Sequence, residues 1–90
     1  MTTAELRLIR KRWELTQEDL ATRMGVQRRA YIAIETGQNP IRKAHILVLE
    51  RISIDIAVQR HDRSLLLSPL RYVLDHLLAL EEVDQSTSRD

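Results

Sequence analysis

The chain has 90 residues, of which 30% are charged and 43% hydrophobic, with a formal net charge of +1 and no cysteine. That length supports one small domain with a modest core, and the lack of cysteine excludes a disulfide framework or a thiolate metal site. No apolar run approaches the roughly 20 residues of a membrane span, and the N-terminus has no signal-peptide hydrophobic stretch, so a cytoplasmic protein without a membrane partner is expected. Charge is unevenly spread: residues 1–43 carry nine Lys/Arg against five acidic residues, and residues 44–90 carry five against eight. A basic half joined to an acidic half implies that one end meets phosphate and the other does not.

Thr2 and Glu5 have the spacing of a capping box, and Leu6, Ile9 and Trp13 follow at helical steps. They predict a first helix over about 3–13, with Arg10 on or beside its apolar face. Thr16 and Asp19 repeat the capping-box spacing, and Glu18 and Asp19 suit the positive end of a helix. A second helix is predicted over 17–24, with Leu20, Ala21 and Met24 on one face. Gly25 stops it, because glycine takes the left-handed conformation without a Cβ penalty. Ala21 is small where two helices would approach closely. A third helix follows over 27–36, with Tyr31 and Ile34 turned inward and Val26 tucked in just before. Helix, glycine turn and helix together read as a helix-turn-helix. Gln27 caps poorly. Arg28 and Arg29 put two guanidiniums beside the helix start, where they suit a guanine edge or a phosphate.

Gly37 closes the third helix. Asn39-Pro40 predicts a fourth helix beginning near Pro40, with asparagine as cap and proline at the first position. Arg42 and Lys43 would then lie in its first turn, where the dipole disfavours cations, and phosphate is their obvious partner. Ile52, Ile54, Ile56 and Val58 alternate at the period of a strand, yet Val48, Leu49, Ile52 and Ile56 also form a helical stripe. A lone strand has nothing to pair with, so a helix to about Arg60 is the reading; the strand would require pairing across a dimer. His61-Asp62-Arg63 is a loop. Ser68-Pro69 opens a last helix to about Val83, whose apolar stripe is wider than one interface needs. Leu70, Val73, Leu77 and Leu80 have the spacing of a helix–helix seam; with Leu74 they are the expected homodimer interface. The organisation expected is one domain over 1–83, with dimerisation helices over about 41–83 and a disordered tail over 84–90.

The stretch from Leu15 to Gly37 resembles the Cro/lambda-repressor type of helix-turn-helix proteins, the xenobiotic-response-element family. The matching signs are Leu15-Thr16-Gln17, Ala21, Gly25-Val26, and Ile34-Glu35 followed by Gly37. The resemblance runs from about Leu6 to about Leu49. It implies an all-α, lambda-repressor-like bundle of about five helices that binds double-stranded DNA with the third helix in the major groove. By that resemblance Gln27, Arg28, Arg29 and Ile32 would face bases, and Gln17 would meet a phosphate at the start of the second helix. Asn39, Arg42 and Lys43 would flank the third helix as further phosphate contacts. Arg10 would pair with Glu35 to hold the first helix against the third. The chain departs from the family at Gln27, where Ser or Thr is common, and at Tyr31, which is larger than the usual aliphatic residue. Its hydroxyl could reach outward toward a phosphate.

Nothing in the sequence supports an enzyme: there is no glycine-rich phosphate loop, no nucleophile elbow and no HExxH. His45, His61 and His76 lack metal-ligand spacing, and neither a metal nor another cofactor is expected. The resemblance implies a homodimeric repressor or autoregulator of the kind that often serves phages, plasmids or integrated elements. The alternative is an antitoxin, binding DNA through the same motif and a toxin or other small protein antagonist through the C-terminal half. A third alternative, an interaction module that has lost DNA binding, sits poorly with Arg28 and Arg29.

Overall fold

A computed structural model of the chain describes the backbone of residues 1–88 and the side chains of residues 1–80. Its regular elements are helices α1 (Thr3–Arg12), α2 (Gln17–Met24), α3 (Arg28–Glu35), α4 (Lys43–Arg60) and α5 (Ser68–Ser88), with a short 3-10 turn at Arg63–Leu65. There is no strand among the described residues, and the alternating stretch 52–58 lies within α4. Burial explains why helix wins there. Ile52 and Ile56 are buried with Leu49 on one side of α4, whereas Val58 points to solvent, so the inward set follows the helical and not the strand period.

The helix ends are set locally. Thr2 Oγ1 accepts from the Glu5 N–H at the start of α1. Thr16 and Asp19 close a full capping box on α2, at 3.0 and 3.2 Å. Gly25 follows α2 at φ +74°, and the N–H groups of Gly25 and Val26 return to the carbonyls of Thr22 and Ala21. That left-handed turn is what swings α3 across α2. Glu14 (φ +57°) and His61 (φ +51°) close α1 and α4 in the same conformation without being glycine.

Two boundaries differ from expectation. Helix α4 begins at Lys43, not near Pro40, and its cap is Arg42. The Arg42 backbone N–H donates to His45 Nδ1 at 2.9 Å, so the bond that marks this start comes from the side chain three residues on and not from a capping asparagine. Ile41 and Ile46 flank this start at the spacing of a hydrophobic staple, and Ile41 packs against the core. Asn39 instead donates its backbone N–H to Ala33 O, finishing α3. At the other end of the chain, α5 continues to Ser88, past the expected stop at Val83. The expected tail therefore coincides in part with this helix, and residues 89–90 lie outside the described residues.

The core lies where α1, α2, α3 and α4 meet: Leu6, Trp13, Leu20, Ala21, Tyr31, Leu49 and Ile56 are its most buried members. Trp13 also fixes the C-terminal half. Its indole N–H donates to Leu65 O at 3.1 Å, Arg12 donates to Ser64 O, and Arg60 donates to Trp13 O. The turn that launches α5 is thereby clasped to the end of α1.

Candidate nucleic-acid interface

Helices α1 and α2 begin with acidic residues in their first turns, as the helix dipole favours; α3 and α4 have none. They begin instead with Arg28-Arg29 and with Arg42-Lys43, all four exposed. Cations at the positive end of a helix are mildly unfavourable within the chain, so two such starts on one surface make a place where an anion would be welcome.

Inward, α3 presents Tyr31, Ile34 and Glu35, all buried. Outward it presents Arg28, Arg29, Ile32 and Ala33, the opposite helical face. Arg28 and Arg29 are exposed, and Ile32 is half-buried. These four share one hollow with Gln38. Gln27 is the cap of α3 but makes no side-chain capping bond, which leaves its exposed amide uncommitted. A second hollow, against the start of α2, is lined by Arg10, Thr16, Gln17, Glu18 and Arg28. Arg28 therefore joins the recognition face to the N-terminus of α2. On the other flank, Asn39 and Arg42 share a hollow with Ala30 and His45. Lys43 lies beyond it at the first position of α4.

Behind this surface sits a buried polar knot. Arg10 Nη2 and Nε donate to Glu35 Oε1 at 2.9 and 3.2 Å, and Arg10 Nη1 donates to Leu15 O at 3.0 Å. Gln17 Nε2 donates to the other oxygen, Glu35 Oε2, at 2.9 Å. Only 1% of the Glu35 side chain is exposed, so the carboxylate depends wholly on these donors. Partial burial opposes the Arg10 charge, but the hydrogen bond and field of Glu35 outweigh it and raise the guanidinium pKa. The Asp19 carboxylate is held below its ordinary range by the Thr16 N–H and then the Thr16 hydroxyl.

Two residues behave differently from expectation. Tyr31 is fully buried, and its hydroxyl, far from reaching outward, has no hydrogen-bond partner. It lies in the field of Arg10 and Glu35, and its pKa is pushed up to about 12, first by burial and then by the Glu35 charge. The inward pull of α3's apolar face decides this, since the ring has far more to bury than one hydroxyl has to hydrate. Gln17 has spent its side-chain donor on Glu35. What it can offer a phosphate is its backbone N–H, unpaired in the first turn of α2 together with that of Glu18. Gln38 lines the surface without having been singled out in the sequence, and Thr16, read there as a cap, lines it too. Gln38 follows the helix-closing glycine, where no periodicity marks it.

The arrangement is a pair of short helices set by a left-handed glycine, the second displaying basic side chains on a face flanked by further cations. That is the geometry of a major-groove reader. A family model described as helix-turn-helix matches residues 6–52, just over half of the chain. The chain belongs to this family, of the Cro/lambda-repressor type, and is a DNA-binding transcription regulator. No curated protein and no solved structure matches it. No helix among the described residues is long and apolar enough to cross a membrane.

Proposed function

We infer that the protein is a homodimeric repressor or autoregulator that reads a near-palindromic operator with the first turn of α3. The observation that carries this is the exposed Arg28-Arg29 pair on the outward face of α3, beside Ile32 and the uncommitted amide of Gln27. Arginine bonds bidentately to guanine O6 and N7, glutamine to adenine, and an isoleucine meets a thymine methyl. Phosphate contacts from Asn39, Arg42, Lys43 and the N–H groups at the start of α2 would fix register without reading sequence. One short helix reads too few base pairs for useful specificity. A two-fold dimer sets two of them about 34 Å apart, in successive major grooves.

The apolar side chains of α5 support the dimer. Val73, Leu77, Leu78 and Leu80 are exposed, while Leu70 and Leu74 are partly buried against the core. An apolar row left in water marks an interface. The antitoxin reading draws on the same row, with a toxin in place of the second copy; a small toxin gene beside this one would favour it.

Selection from random duplexes tests the proposal. The parent protein should enrich a two-fold site with half-site centres about 10 base pairs apart. Arg28→Ala should relax the preference at one position in each half. Enrichment of nothing above the starting pool would contradict sequence-specific reading.

A further inference from the structure

The hollow on the outward face of α3 encloses about 350 Å³ and has a floor and two ends. Ile32 and Ala33, both half-buried, form the floor. Arg28 and Arg29 stand at the end where α3 begins, and Gln38 stands where it finishes. The proposed function gives tasks to Arg28, Arg29 and Ile32, and none to Gln38.

Gln38 lies beyond the helix, yet its backbone is tied to it. Gly37, at φ +86°, turns the chain back against α3. The N–H of Gly37 returns to Ile34 O at 3.2 Å and that of Asn39 to Ala33 O at 3.0 Å, so Gln38 is bonded down on both sides. The Thr36 hydroxyl donates to Ile32 O at 2.8 Å, which commits its proton to the helix. The last turn of α3 offers little else to a ligand: Ala33 is small, and Ile34 and Glu35 are buried. The exposed amide of Gln38 is therefore the group that reaches outward at this end.

The two residues after Gly37 part company. Gln38 faces the hollow it shares with Arg28, Arg29 and Ile32. Asn39 lies in the flanking hollow with Ala30, Arg42 and His45. The flank has the cation that suits a phosphate, whereas Gln38 is a neutral amide beside the side chains on the reading face.

We propose that Gln38 is a specificity-determining residue, its side-chain amide reading an adenine in each half-site under the C-terminal end of α3. This rests on the reading of α3 as the base-reading helix and extends its footprint beyond the first turn. The amide C=O accepts from adenine N6–H and the NH2 donates to N7, a donor and acceptor order that no other base presents in the major groove. The eight residues of α3 rise about 12 Å, the height of roughly three stacked base pairs. The base under Gln38 is thus a different one from that under Arg28.

Selection from random duplexes with the parent, Arg28→Ala, Gln38→Ala and Gln38→Glu tests this. Gln38→Ala should relax an adenine preference at one position in each half-site, distinct from the position that Arg28→Ala relaxes. Kd for the selected duplex and for one changed at that adenine should differ by about 10-fold less than in the parent. That ratio is insensitive to any loss of folded protein, which weakens both duplexes alike. Gln38→Glu should move the preference there from adenine to cytosine, whose N4 amino group donates to a carboxylate; a structural role would not produce that switch. A uniform loss of affinity with the parent's preferences intact would make Gln38 a phosphate contact, and no change would leave it without a role. Either result overturns the proposal and leaves base reading by α3 standing. Relaxation at the position set by Arg28, or at one where the parent site holds no adenine, overturns it as well. A parent that enriches nothing overturns base reading by α3 together with the proposal.

Discussion

Tyr31 and Arg10 show how much of this small domain depends on single side chains. The Tyr31 hydroxyl is buried without a partner, and an unsatisfied buried polar group costs about 1–3 kcal/mol. Tyr31→Phe keeps the ring and removes the penalty, so it should raise the melting temperature. A variant less stable than the parent would show that the hydroxyl is satisfied in solution. The effect should also depend on pH. The folded pKa is raised from 10.0 to about 12, so the stability linked to the neutral phenol is fully present below pH 10. It is lost as pH rises through 12, because the unfolded chain ionises first. The gap between Tyr31→Phe and the parent should therefore widen above pH 10 and stay constant below it. Arg10 is the opposite case. Its loss leaves Glu35, 2% exposed as a residue, with only the Gln17 amide. Arg10→Met should destabilise by about 3–5 kcal/mol, as stranding a buried charge does. Thermal unfolding at the parent temperature would mean the pair contributes nothing.

At the scale of the elements, the start of α4 ties fold to function. Arg42 and Lys43 stand at its positive end with no acid in the turn. Arg42→Ala or Lys43→Ala should each flatten the salt dependence of DNA affinity by about one unit of slope and weaken all sequences alike. A slope equal to the parent's would remove that residue from the interface. This helix also shows what could be read from sequence. Its extent through 52–58 was legible, because a lone strand has no ladder partner. Its start was not. Asn39-Pro40 is a strong local signal, but Ile41 is drawn into the core and His45 offers a cap at the third position, so tertiary burial outweighs propensity. The helix-turn-helix itself was legible because its caps are local: Thr16 with Asp19, and Gly25. The inward turn of the Tyr31 ring was legible, but the burial of its hydroxyl and the use of the Gln17 donor by Glu35 depend on contacts 18 or more residues away, which no window of sequence displays.

In the whole molecule the basic half carries the cationic starts of α3 and α4, and the acidic half carries the projecting helix. Trp13 couples them, since its indole holds the turn that launches α5 against the end of α1. The placement of α3 relative to the start of α5 is thus fixed through a few named contacts. The proposed function makes specificity and affinity separable: base contacts from α3's first turn would read, and phosphate contacts from the start of α4 would clamp. The two are told apart by measuring Kd for the selected duplex and for a scrambled one at a single salt concentration, for the parent, Arg28→Ala and Arg42→Ala. The parent should prefer its site by about 10³-fold or more. Arg28→Ala should lose roughly 10-fold or more of that ratio, the worth of a bidentate base contact. Arg42→Ala should weaken both duplexes and leave the ratio unchanged. An Arg28→Ala protein that keeps the parent's ratio while binding both duplexes more weakly would show that α3 grips phosphate and does not read bases.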